Sequence, residues 1–401
     1  VRRTLAIAMA VLAILTLVGA IALGRDQAEP DDQVVRQPTS CQPGPAVPAP
    51  TIDLGVQAAD GTTLLPRRKV ARLVALAQRA GATVISTSAS WRYLQRTADT
   101  PTSDLAFEGV DRVVDAARAA GLQVRLQLIG MPAWAVSDQT RPWSDNRPPL
   151  TPDELARWTD FVTAVAQHEA GRVDYLEVWN EPNGTPYWPT GPDPAAFADL
   201  LAATYAPVKA VAPDMQVISG GLVDNDLGYL EALYTALDAM RLPHRPFDLV
   251  GVHPFTGDAS PSTVDPSRTY ERTFGLVDAD FTGYEALHDV MARHDDDSDL
   301  YITSFGYGAR ANRGQPAVPD EVRAGYVREA LLAVTCAPYV RAISWYYLHP
   351  TPYDPPSWTL VDARLRPNDT YRAFVDWTRE VASSGAPQVS PIPPPAASPG
   401  G

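Results

Sequence analysis

From residue 51 to residue 382 the chain alternates short β-branched runs with longer stretches whose apolar residues recur every three or four positions. A brief apolar run between turn residues reads as a buried strand, and the longer period reads as a helix with one buried face. Strands are predicted at Ile52–Gln57, Thr83–Ala89, Gln123–Ile129, Val173–Asn180, Gln216–Leu222, Phe247–His253, Leu300–Phe305 and Ala342–Tyr347. Helices are predicted at Arg67–Ala80, Phe107–Ala120, Pro152–Glu169, Pro194–Val211, Leu227–Met240, Tyr284–His294, Asp320–Cys336 and Asp369–Val381. Eight strand–helix units predict an α/β fold of the TIM (β/α)₈ barrel type. An open, doubly wound sheet would carry a glycine-rich phosphate loop after its first strand, and Gly55-Val56-Gln57 is not one.

The flanks break this pattern. Arg2 and Arg3 precede an unbroken apolar run, Leu5 to Gly24, that is 20 residues long and ends at Arg25. That length suffices for one membrane-spanning helix, while Ala20-Ile21-Ala22 offers a small-residue cleavage site. Residues 1–24 therefore read as a signal peptide or a transmembrane anchor. Either places the remainder outside the cytoplasm, secreted or tethered to the outer membrane face, with membrane contact only if the segment is uncleaved. Residues 25–50 and 383–401 are rich in proline and read as a linker and a disordered tail around the 51–382 barrel.

Charge and cysteine usage narrow the partners. A formal net charge of −14 repels phosphate backbones, which argues against nucleic acid. The six histidines are scattered, and neither CxxC nor HExxH spacing occurs, so no metal and no cofactor are expected. A monomer is expected. Cys41 lies shortly before strand one and Cys336 shortly before strand eight. These strands are neighbours in a closed barrel, so the two cysteines are expected to form a disulfide in an oxidising compartment, two unpaired thiols being the alternative.

Barrel active sites sit at the C-terminal ends of the strands. Strand four ends in Trp179-Asn180-Glu181-Pro182-Asn183, which puts a carboxyl beside an amide at the mouth. A glycosidase needs that pair: an acid to protonate the leaving oxygen, and a nearby donor for the sugar's 2-hydroxyl. Trp91, Trp134, Trp188 and Trp345 fall at strand tips or top loops, where aromatic rings stack on sugars, whereas Trp158 and Trp377 lie on helix faces and read as core. His253 ends strand six and reads equally as a ligand contact or a satisfied strand-end histidine. Glu177 lies deeper than Glu181 and reads as half of an ion pair with Arg125. The sequon Asn183-Gly184-Thr185 reads as a chance match.

These segments resemble the clan A glycoside hydrolases, with families 39 and 5 nearest in flavour. The resemblance rests on the strand-four Trp-Asn-Glu-Pro-Asn, on Pro132-Ala133-Trp134-Ala135 after strand three, and on His253-Pro254-Phe255 after strand six. It extends to Ser344-Trp345-Tyr346 in strand eight and to the closing segment Trp358–Phe374. It implies a retaining hydrolase of O-glycosidic bonds with Glu181 as acid/base, Asn180, His253 and the tryptophans against the sugar, and a saccharide partner. Two departures stand out. Where the family's strand seven reads Thr-Glu-Phe-Gly, with Glu as nucleophile, this chain has Thr303-Ser304-Phe305-Gly306. Where the family often carries an arginine five residues before its tryptophan, this chain has Ser86 before Trp91. Double displacement needs a carboxylate about 5–5.5 Å from the acid, and a serine hydroxyl is un-ionised at neutral pH. Two expectations stay open: hydrolysis through a relocated carboxylate, with Asp224, Asp258 and Asp354 as candidates, or a catalytically dead, surface-tethered binding protein using the same cleft. A structural envelope protein with a vestigial pocket is a third and weaker alternative.

Overall fold

Strand pairing closes a ring. In the computed structural model the barrel strands are β1 (Thr51–Leu54), β2 (Val84–Ser90), β3 (Gln123–Ile129), β4 (Tyr175–Val178), β5 (Gln216–Ile218), β6 (Leu249–His253), β7 (Asp299–Phe305) and β8 (Val340–Trp345). Each pairs in parallel with the next, and β8 returns to β1 through Thr51↔Ala342 and Ile52↔Ile343. The fold is thus the TIM barrel expected from the alternating pattern. The structure describes residues 49–56, 65–137, 144, 146–311, 316–350 and 356–383, all within the unit Thr39–Gly401. The apolar N-terminal run, the linker, Cys41, Asp354 and the proline-rich tail lie outside the described residues. Among the described residues no helix is long and apolar enough to cross a membrane. Cys336 is disulfide-bonded.

The outer helices are α1 (Arg67–Arg79), α2 (Glu108–Ala119), α3 (Pro152–Glu169), α4 (Pro194–Val211), α5 (Leu227–Met240), α6 (Tyr284–Arg293), α7 (Asp320–Thr335) and α8 (Asp369–Ser383). Their starts are written locally. Thr151 and Glu154 form a capping box ahead of α3, with Pro152 at its first position. Asp193 caps α4 and Asp226 caps α5 by accepting backbone N–H bonds. Apolar faces of these helices pack on the outside of the strands, with Trp158 and Trp377 buried in that layer.

The barrel interior has its own stratification. A small apolar cluster of Val84, Tyr175, Ile218, Leu249, Tyr301 and Ala342 fills one level. A charged level adjoins it. Arg125 Nε donates to Asp53 Oδ2 at 2.8 Å, its Nη1 donates to Glu177, and its Nη2 donates to Thr303 O at 2.9 Å and Ser344 Oγ at 3.1 Å. The Tyr301 hydroxyl donates to Asp53 Oδ2 at 3.0 Å. Burial alone would favour a neutral guanidine, but the carboxylates of Asp53 and Glu177 outweigh it, and Arg125 holds its proton more tightly than an ordinary arginine.

One insertion modifies the simple repeat. Between β6 and α6 the chain forms a two-stranded antiparallel hairpin, Thr269–Arg272 with Gly275–Asp278.

Candidate active site at the barrel mouth

A cleft of about 640 Å³ opens where the strands end. Glu181, Asn180, His253, Ser304 and Trp345 all line it, together with Asp224. The backbone aims Glu181. Trp179 and Glu181 both adopt left-handed conformations, at φ 68° and 41°, which are costly for residues with a Cβ. Buried anchors hold this turn. Trp179 Nε1 donates to Tyr187 O at 2.9 Å, and Asn183 Nδ2 donates to Val223 O at 3.0 Å and to Asp226 at 3.2 Å. Asn183 is therefore committed to holding the turn.

His253 joins Glu181 to strand seven. Its Nδ1 lies 3.0 Å from Glu181 Oε1 and its Nε2 lies 3.0 Å from Thr303 Oγ1. Both ring nitrogens are thereby engaged, which leaves none for the neighbouring Ser304 hydroxyl. Gly221 makes room for this contact, since a Cβ there would fall 2.2 Å from His253 Nε2 and 2.7 Å from Thr303 Oγ1. Asn180 is oriented by Gln127, whose Nε2 donates to Asn180 Oδ1 at 3.1 Å.

The aromatic lining differs from the sequence expectation. Trp345 lines the cleft, but Trp91, Trp134 and Trp188 do not. Trp91 is fully buried, stacks on Phe161 with centroids 5.3 Å apart, and donates from Nε1 to Gln95 Oε1 at 2.7 Å. Trp134 packs edge-on against Trp91 and donates to Gln95 O at 3.0 Å. Trp188 is fully buried against Phe197. Trp91 and Trp188 are core, and Trp134 is half-buried against it, so none of the three indoles reaches the cleft. The cleft is instead walled by Tyr187, Phe255, Tyr346 and Trp358. Trp358 stands in the closing segment after strand eight, so its place in sequence was a usable signal. Nothing local marked Tyr187.

Arg125 is a second residue that sequence reasoning undervalued. In the β2–β3 register Ser86 stands directly beside Arg125, and both line the cleft floor. The Arg125 guanidinium holds the backbone of Thr303 next to Ser304.

Of the relocated-carboxylate candidates, Asp224 lines the cleft and Asp258 does not. Asp224 accepts from Arg272 of the hairpin. Among the described residues, Asp111, His168 and Glu169 come close enough to share a metal ion. Asp111 and His168 line a separate surface hollow with Glu169 buried beside it, and Arg172 already supplies the cation there, 2.7 Å from Asp111 and 3.2 Å from Glu169.

Comparison with known proteins bears on the fold. No protein-family model matches the chain, and no curated protein does. Solved structures do. A family 39 glycoside hydrolase from the gut symbiont Bacteroides cellulosilyticus WH2 superposes with a TM-score of 0.62 at 20% identity, over 84% of this chain and 64% of that one. A GH5_18 protein from Streptomyces cattleya, solved with GlcNAc, gives a TM-score of 0.62 at 16% identity, over 86% of this chain and 83% of that one. Xylanase 10B from Thermotoga maritima gives 0.55 at 14% identity, over 84% of this chain and 97% of that one. The chain spans under two thirds of the family 39 enzyme. At these identities the likeness is one of fold.

Proposed function

We propose that this protein is a glycosidase-type saccharide receptor of the extracytoplasmic space, in which Glu181 is presented to a glycosidic oxygen and the retaining double displacement is lost. The observation that carries the reading is the placement of Glu181: at the tip of β4, hydrogen-bonded to His253, in one cleft with Asn180 and Trp345. An acid there can give its proton to a leaving oxygen, and Asn180 can hold a neighbouring hydroxyl.

Ser304 stands where attack on the anomeric carbon would begin. Its hydroxyl has no engaged base, because both His253 nitrogens are taken by Glu181 and Thr303. A serine glycoside would also be an acetal like the substrate itself, and it would have to expel an alkoxide where a glycosyl ester expels a carboxylate. Any hydrolysis then proceeds by single displacement: water attacks the anomeric carbon and loses its proton to bulk solvent, the glycosidic bond breaks, Glu181 protonates the departing oxygen and is reprotonated from solvent, and the configuration inverts.

A second reading, binding without turnover, is favoured by a specific observation. Asp224, the other carboxylate lining the cleft among the described residues, already accepts from Arg272 and Tyr270, so it is poorly placed to serve as base for a water. The test is a panel of aryl glycosides, GlcNAc and mannosyl-β-1,4-GlcNAc, with anomeric products followed by NMR and binding by calorimetry. Saccharide binding with inverted product or none supports the proposal. A retained product from the unmodified chain refutes it, and absence of any saccharide binding refutes the receptor reading.

A further inference from the structure

The β6–α6 hairpin is fastened to the rim of the cleft. Asp226 bridges to Val277. Asn225 Nδ2 donates to Asp278 O at 2.8 Å and Asp280 O at 2.9 Å. A Cβ on Gly228 would fall 2.5 Å from the backbone of Phe274 and Gly275, so the hairpin sits hard against the start of α5. These contacts preset the position of its side chains.

Tyr270 and Arg272 are two residues apart on one strand and share a face. That face turns to Asp224. Arg272 Nη2 donates to Asp224 and to the Tyr270 hydroxyl, the latter at 2.8 Å, and the guanidinium lies 5.4 Å from the centre of the Tyr270 ring. Asp224 in turn lines the cleft, and its N–H donates at 3.1 Å to the backbone carbonyl of His253, the residue whose imidazole holds Glu181. Tyr270 remains 38% exposed, so its ring is open to a ligand.

We propose that Asp224, Arg272 and Tyr270 form a second sugar subsite where the hairpin meets the cleft at Asp224, so that the cleft takes a chain of at least two sugar residues with the linkage beside Glu181. The proposal rests on the saccharide reading above. Its chemistry is that of neutral pyranose recognition. A carboxylate and a guanidinium held side by side offer an acceptor and a donor to adjacent hydroxyls, and the tyrosine ring offers a face for the C–H side of the sugar. The Arg272 charge is already matched by Asp224, which favours a neutral sugar over a uronate.

Monomers to tetramers of β-1,4-linked glucose, xylose, mannose and N-acetylglucosamine test it by calorimetry. For the series that binds, affinity should rise at least tenfold from monomer to dimer. Tyr270→Ala and Arg272→Gln should each abolish that increment while leaving the monomer Kd within about twofold, and Tyr270→Phe, which keeps the ring, should retain most of it. Equal increments in the unmodified chain, Tyr270→Ala and Arg272→Gln would overturn the subsite while leaving monomer binding, and hence the saccharide reading, in place. If no oligomer or monomer binds the unmodified chain, the saccharide reading itself fails and takes the subsite with it.

Discussion

The imidazole of His253 stands 3.0 Å from Glu181 Oε1 on one edge and 3.0 Å from Thr303 Oγ1 on the other. Three strand tips are coupled by that one ring. An ionised carboxylate only accepts, so Nδ1 carries a hydrogen toward Glu181 in that state, and a neutral ring then accepts the Thr303 hydroxyl through Nε2.

Gly221→Ala tests this coupling without touching a cleft carboxyl. The new methyl would fall 2.2 Å from His253 Nε2, so the ring must rotate away. Expected are a loss of about 1–3 kcal/mol of stability, as for other overpacked sites, and a fall in saccharide affinity larger than in a Thr303→Ser control, which keeps the hydroxyl. Urea unfolding and calorimetry measure the two effects separately.

On the proposed reading, Ser304→Glu should supply a strand-seven nucleophile. Its expected signature is a rise of several orders of magnitude in turnover of an activated aryl β-glycoside, with retention at the anomeric carbon. In the unmodified chain, azide or formate should instead yield a glycosyl adduct of inverted configuration. Ser304→Ala should leave binding unchanged. If Ser304→Glu stays inert while still binding sugar, the strand-seven position is not the site of attack.

The tryptophans separate core from cleft. Trp91→Ala should cost about 3–5 kcal/mol of stability, because a fully buried indole stacked on Phe161 is removed. Trp358→Ala should leave the melting temperature nearly unchanged and weaken sugar binding. Thermal melts beside titrations decide between these assignments.

Arg125 anchors the charged level of the barrel. Arg125→Met leaves Asp53 and Glu177 buried without their cation, and the expected cost is about 3–5 kcal/mol. A variant that also carries Asp53→Asn and Glu177→Gln should recover much of the stability at neutral pH.

Glu169 supplies a pH signature away from the cleft. Burial raises its carboxyl from 4.5 to about 7, against the opposing pull of Arg172. The folded chain therefore binds this proton more tightly than the unfolded one. Its contribution favours folding below about pH 4.5 and is lost as pH rises through about 7. Glu169→Gln should remove that slope and gain on the unmodified chain at pH 8 by on the order of 3 kcal/mol or less. Denaturant curves at pH 5 and pH 8 give the comparison.

The alternating pattern of apolar runs determined the eight strands, the eight helices and their closure, because every barrel strand must bury both faces and every outer helix one. Glu181, Asn180, Ser304 and Trp345 were legible as cleft residues because each lies at or just beyond a strand tip, and strand ends are where a barrel opens. The tertiary structure alone decided which loop aromatics face the sugar cleft. Trp91, Trp134 and Trp188 have the right sequence positions but turn into the helix layer, while Tyr187 and Trp358 turn inward, since loop direction depends on packing against partners far away in the chain. Only the register of β2 against β3 brings Arg125 beside Ser86. Only the docking of the hairpin on Asn225 and Gly228 brings Arg272 to Asp224. Contacts of that kind are set by chain segments some tens of residues apart, and no local pattern of hydrophobic and polar positions encodes them.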